Sequence, residues 1–94
     1  MTIFYIDTSS SNLYSGIYSN NSLKAFVKKP FGKDMSKYAL NEVKLMFESI
    51  NIKPSDVDKI IVVSGPGSFT GIRIGMTIAK IFAFSLKKRN NYNF

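Results

Sequence analysis

Residues 59–86 read "KIIVVSGPGSFTGIRIGMTIAKIFAFSL", a β-branched apolar run, a glycine-rich loop and a long apolar segment with no linker between them. The first part, "KIIVVSG" (59–65), has the length and composition of a strand buried on both faces. The loop and its continuation, "GPGSFTGIRIG" (65–75), set Gly65, Gly67, Gly71 and Gly75 around Pro66 and the hydroxyl residues Ser68 and Thr70. A helix is expected from Thr70 to Lys87, with Ser68 or Thr70 able to cap its first amides. Such a loop either cradles an anion at the helix N-terminus or lets two backbones approach closely. It is not a Walker A motif, because Ile72 and Arg73 follow Gly71 where Lys and Ser/Thr would stand.

The helix itself carries an unusually wide apolar surface. Gly71, Ile72, Ile74, Gly75, Met76, Ile78, Ala79, Ile81, Phe82, Ala83 and Leu86 sweep an arc of about 220° at 3.6 residues per turn, whereas packing on one sheet needs little more than about 100°. Arg73, Thr77, Lys80, Lys87 and Lys88 mark the polar sector, with Phe84 among them. Gly71, Gly75, Ala79 and Ala83 repeat every fourth residue and form a ridge of small side chains. The ridge fits close packing on the chain's own sheet or against a partner helix, and the width of the arc favours the partner. The expected interface is Gly71, Ile74, Gly75, Ile78, Ala79, Ile81 and Phe82.

Working outward, "TIFYID" (2–7) is apolar on both faces and suits a central strand ending at Asp7. "LYSGIYS" (13–19) and "SLKAFVKK" (22–29) alternate as half-buried strands, and Asn20-Asn21 stands where a two-residue hairpin turn belongs. A first helix is expected from Asp34 or Ser36 to Ile50, with Ala39, Leu40, Val43, Met46, Phe47 and Ile50 on one stripe. In the connector "NIKPSDVDK", Pro54 blocks continuation of the helix. The order is βββαβα: an α/β chain with three antiparallel strands, a fourth strand and two helices. That is the opening of the ribonuclease-H-like topology, shared by nucleases and by the lobes of actin-like ATPases and sugar kinases.

The two chemistries of that topology make different demands. A two-metal nuclease needs converging carboxylates. Asp7 is in place and Glu42 or Glu48 could add a second, but the end of the fourth strand reads Val63-Ser64-Gly65. The chain has no histidine to assist, so nuclease activity is disfavoured. In the ATPases, Asp7, Thr8 and Ser9 would form a first phosphate loop. A second phosphate loop and a nucleoside pocket would have to come from another lobe. The sequence therefore offers Asp7, Thr8 and Ser9 as a vestigial phosphate loop, with no catalytic residue and no metal site.

Composition narrows the classes further. The 94 residues include 13 basic and 6 acidic side chains, for a formal charge of +7. Eleven of the basic residues are lysine and asparagine is abundant, so the surplus reads mainly as composition, with a nucleic-acid surface as the alternative. Lys24 and Lys28 flank Phe26 and are expected to face outward, where lysine discourages edge pairing. The absence of cysteine excludes disulfides and thiolate metal sites. The longest apolar stretch, Ile72–Leu86, holds Arg73 and Lys80 and is too short to cross a bilayer, so a cytoplasmic, non-membrane chain is expected.

The motif "KIIVVSGPGSFTGIRIG", with "YIDTSS" at the end of the first strand, closely resembles the signature of the TsaB (YeaZ) family of bacterial tRNA threonylcarbamoyladenosine biosynthesis proteins. This family belongs to the broader Gcp-like group, and the resemblance runs from Thr2 to about Leu86. It implies a non-catalytic subunit whose N-terminal lobe binds a TsaD-like catalytic subunit through its two helices. With a TsaE-like ATPase, that complex forms threonylcarbamoyladenosine at position 37 of tRNAs reading ANN codons. It further implies tRNA contact only through the complex, and ATP and Mg only there, with a homodimer as the alternative association. Gly65, Pro66, Gly67, Ser68, Phe69, Thr70, Gly71 and Arg73 are then signature-loop residues. Two departures stand out: Met35-Ser36 replaces a common His-Ser pair, and "KKRNNYNF" stands where another strand is expected. The chain is read as an N-terminal lobe (1–88) with a polar tail (89–94) and no second lobe. It could be a reduced subunit, a gene fragment or half of a split protein.

Overall fold

The computed structural model describes residues 1–85. Strand β1 (Thr2–Asp7) pairs antiparallel with β2 (Leu13–Ser19), which pairs antiparallel with β3 (Ser22–Lys29). Helix α1 (Met35–Ser49) follows a single 3-10 turn at Gly32–Asp34. A second such turn at Pro54–Asp56 leads into β4 (Lys59–Val62), and helix α2 spans Phe69–Ser85. The sheet order is β3-β2-β1-β4, with β4 parallel to β1, so β1 is an inner strand, with Phe4 and Ile6 buried and Ile3 and Tyr5 half-buried. The βββαβα order read from the sequence is the one observed.

Local sequence accounts for the connections. Asn20 and Asn21 adopt φ of 53° and 66°, the left-handed pair that a tight hairpin turn needs and asparagine tolerates. Asp34 occupies the position before α1, although its side chain makes no capping hydrogen bond. The start of β1 is tied to the entry of β4: the Thr2 amide donates to the Asp58 carboxylate at 2.8 Å, and the Asp58 amide donates to the Thr2 carbonyl at 2.8 Å.

Both helices lie on one face of the sheet. Phe4 and Ile6 from β1, Leu13 and Ile17 from β2, and Ile60 and Val62 from β4 point into that layer and are buried. Met35, Ala39, Val43, Met46 and Phe47 meet them from α1, and Ile78, Ala79, Phe82 and Ala83 from α2. At the centre, the rings of Phe4, Phe47 and Phe82 lie with centroids 5.2 to 5.4 Å apart, joining the central strand to both helices. Met35 belongs to this core although the sequence stripe began at Ala39.

The expectation that residues 59–65 form a strand buried on both faces is corrected. Strand β4 stops at Val62 and is an edge strand, with Ile60 and Val62 buried but Lys59 and Ile61 only half-buried. The reason is the one-sided helix layer: among the described residues, nothing covers the opposite face. The expected helix residues Leu86, Lys87 and Lys88, and the tail 89–94, lie outside the described residues. No helix among the described residues is long and apolar enough to cross a membrane.

The ring cluster generates a stability prediction. Phe47→Ala should cost about 3–5 kcal/mol, a large share of the roughly 5–15 kcal/mol typical of a domain. Urea unfolding should show the midpoint fall well below that of the parent chain.

Candidate functional site

The two loops singled out in the sequence meet. The Asp7 carboxylate accepts from the Ser9 amide at 2.9 Å and from the Ser9 hydroxyl at 2.6 Å, which closes a tight turn at the end of β1. The turn presents the Ser9 carbonyl to the glycine-rich loop, where the Ser68 amide donates to it at 2.8 Å. Gly67 has φ of 157° and lies so close that any Cβ there would overlap the Ser9 carbonyl oxygen. Ser68 caps α2: its hydroxyl accepts from the Gly71 amide at 3.2 Å, which fixes the helix start at Phe69.

Thr8 completes the joint. It is fully buried, and its hydroxyl donates to the Gly71 carbonyl at 2.5 Å. A Cβ on Gly71 would overlap the Thr8 carbonyl oxygen, and one on Gly75 would lie 2.6 Å from the Thr8 hydroxyl oxygen. The small-residue ridge therefore faces the chain's own first loop and sheet. Gly71, Gly75, Ile78, Ala79 and Phe82, expected at a partner interface, are all buried within the chain. That assignment is corrected, because the ridge is already filled by Thr8 and by the core. Of the seven expected interface residues, Ile74 stays half-buried and Ile81 is 45% exposed.

Part of the remaining surface of α2 forms a narrower row that starts at half-buried Ile74. Ile74, Thr77, Ile81 and Phe84 follow one another at i, i+3, i+7 and i+10, the spacing of one helix face. Phe84 is 86% exposed. The Thr77 hydroxyl is turned back onto the Arg73 carbonyl at 2.8 Å, so it is satisfied within the helix. Arg73 lies over the Phe69 ring, 5.9 Å from its centroid. The sequence placed Phe84 in a polar sector; the i+3/i+7 relation to Thr77 and Ile81 was the signal that could have found this row.

Two clefts border the helix layer. One, of about 400 Å³, lies between the ends of the helices and is lined by Phe47, Ile52, Pro54 and Phe82, with Lys44 and Glu48 at its rim. The other, of about 550 Å³, lies beside the joint, between Ser10, Ser11, Lys33, Ser36, Ser68 and Thr70. Hydroxyls, one lysine and a helix N-terminus line this second cleft together with the apolar side chains of Met35 and Ile74, and no carboxylate is among its lining residues. No group of three His, Cys, Asp or Glu side chains able to hold a metal ion is found among the described residues. Of the vestigial phosphate-loop residues, Thr8 donates to Gly71, and Asp7 accepts from the Ser9 amide and hydroxyl.

Residues 21–89 match the family described as TsaD, tRNA N6-adenosine threonylcarbamoyltransferase. The chain belongs to this family. It is 38% identical over 86 residues to the tRNA threonylcarbamoyladenosine biosynthesis protein TsaB of Bacillus subtilis (strain 168), covering 92% of this chain and 38% of that protein. Its fold is that of YeaZ from Pseudomonas aeruginosa, with a TM-score of 0.88 at 23% identity over 98% of this chain and 43% of that one. A second solved structure, of a protein described as similar to peptidase YEAZ from Pseudomonas aeruginosa, aligns with a TM-score of 0.87 at 23% identity. This chain thus spans 38% to 43% of the length of these relatives.

Met35 and Ser36, read from the sequence as a departure from a His-Ser pair, open α1, and Met35 is buried in the core. The loop of this TsaD-family chain is a joint, so its glycines should resist enlargement. Gly71→Ala should destabilise the fold by about 1–3 kcal/mol through overpacking against Thr8. An equilibrium urea titration checks this, with Gly32→Ala as the contrast, since a Cβ there meets no atom within 4 Å and only its φ of 52° resists substitution.

Proposed function

We propose that this chain acts as a non-catalytic TsaB-like subunit. It docks onto a TsaD-like catalytic subunit and supports formation of threonylcarbamoyladenosine at position 37 of tRNAs that read ANN codons. The observation that carries this reading is the exposed row Thr77, Ile81 and Phe84, with half-buried Ile74 at its start, on a helix whose opposite side is filled by its own core. An 86%-exposed phenylalanine one turn from a half-exposed isoleucine is a surface that gains from being covered. The candidate phosphate-loop side chains point to the same division of labour. Asp7 and Thr8 hold the chain together, so ATP and Mg would be handled by the complex, with a TsaE-like ATPase contributing there. In the absence of a TsaD-like subunit, the same row would support a homodimer.

Co-purification with a tagged TsaD-like subunit tests the reading. Phe84→Asp should weaken association by about tenfold to a hundredfold, the equivalent of roughly 1.4–3 kcal/mol, while circular dichroism stays unchanged because Phe84 is exposed. Retained affinity would move the interface elsewhere. Sustained ATP hydrolysis by the chain alone, abolished by Asp7→Ala without loss of fold, would replace the scaffold with half of an actin-like ATPase.

A further inference from the structure

The sheet face opposite the helices is organised in three cross-strand rows. Lys59, Ile3, Tyr18 and Leu23 form the first, Ile61, Tyr5, Gly16 and Phe26 the second, and Asp7, Tyr14 and Lys28 the third. Tyr18 is 46% exposed, Leu23 50% and Phe26 54%. Gly16 is the point on which this surface turns. A Cβ there would lie 3.5 Å from Leu23 and 3.6 Å from Phe26, so both side chains lie over the glycine. Tyr14 and Phe26 are neighbours, with centroids 6.4 Å apart, and the Lys28 ammonium lies 5.7 Å from the Tyr14 centroid. Tyr5, Tyr14 and Tyr18 share one environment. The Tyr5 phenol is held above its usual range first by burial and then by Asp7, Tyr18 and Tyr14.

Charge on this face is one-sided. Of the six acidic residues, only Asp7 lies in the rows, at their end and turned to Ser9. Glu42 and Glu48 are on α1, Asp34 and Asp56 are in the 3-10 turns, and Asp58 bonds the Thr2 amide. Lys28 and Lys59 stand at opposite corners, and Lys24 sits at the register shift in β3. Tyr14 and Tyr18 on β2 and Phe26 on β3 share this face, with the Tyr14 and Phe26 centroids 6.4 Å apart, and rings on a sheet face can stack two or three bases.

We infer that this open sheet face binds single-stranded RNA, with bases stacked on Tyr18, Phe26 and Tyr14 and phosphates drawn to Lys24, Lys28 and Lys59. Any base offers a ring its flat face, and the lysines require an anionic backbone, so the pairing of rings with cations matches this ligand on both counts. Two of the three rings are tyrosines, whose hydroxyls can meet the ribose 2′-hydroxyl. A second copy of this chain fits poorly, because it would bring the same lysines of a +7 chain face to face. A duplex fits poorly as well, since its bases are stacked on each other and out of reach of the rings. The surface lies across the sheet from the row on α2, so this inference stands independently of partner docking.

Fluorescence anisotropy with a labelled 12-nucleotide single-stranded RNA, and the same RNA as a duplex, tests the inference on the 94-residue chain. The single strand should bind more tightly than the duplex. Tyr18→Ala and Phe26→Ala should each weaken binding about fivefold to a hundredfold, while Phe26→Tyr retains it. Lys28→Gln should flatten the dependence of log affinity on log salt by about 0.7. Circular dichroism and the oligomeric state of each variant are measured alongside. Three results would each overturn the proposal: equal binding of the duplex, ring variants that bind as well as the parent, or a Phe26→Ala effect seen only as lost self-association.

Discussion

The close approach of α2 to the turn after β1 is the constraint on which the rest of the molecule depends. Thr8 donates its hydroxyl to the Gly71 carbonyl across 63 residues of sequence. For that contact to form, the helix must come so near that no side chain fits at Gly71, and the loop ahead of it so near that none fits at Gly67. Once the helix start is pinned there, Ile78, Ala79, Phe82 and Ala83 are directed at the sheet, and Phe82 reaches the Phe4–Phe47 pair. The other side of the helix is then fixed by exclusion. Glycine in a helix costs up to about 1 kcal/mol against alanine, and the joint supplies the packing that offsets it.

This geometry separates three surfaces on a small chain. The joint engages Asp7, Thr8 and Ser68 in hydrogen bonds within the chain. The outer row of α2 retains apolar side chains at helical spacing. The bare face of the sheet retains aromatic side chains beside lysines. A chain of this size has limited core to offset the entropy of folding, and it nevertheless exposes two apolar surfaces.

Much of the fold was legible locally. The strand in 13–19, the Asn-Asn turn and the stripe on α1 each depend on residues a few positions apart, and the structure has them where the sequence placed them; in 22–29 a register shift at Lys24 breaks the alternation and leaves Leu23 and Phe26 exposed. The site was harder to read. A helix with an apolar arc of about 220° does not say which part of that arc meets the sheet; Thr8, distant in sequence, decides it. The ridge of small residues was therefore legible as a close contact but not as an internal one. Likewise, the apolar run of β4 reads the same whether one face is covered or two, since coverage depends on where the helices lie. Met35 was within reach of sequence reasoning, because it precedes Ala39 by four residues on the same stripe.

Native-state hydrogen exchange followed by NMR addresses the joint most directly. The Ser68 amide donates to the Ser9 carbonyl, so it reports whether the loop is closed in the free chain. If the loop is a structural joint, this amide exchanges nearly as slowly as the amides of β1, because opening it requires the fold to open. An Ser68 amide that exchanges like an exposed loop, and gains protection only on addition of a nucleotide, would contradict the account and return the loop to phosphate binding.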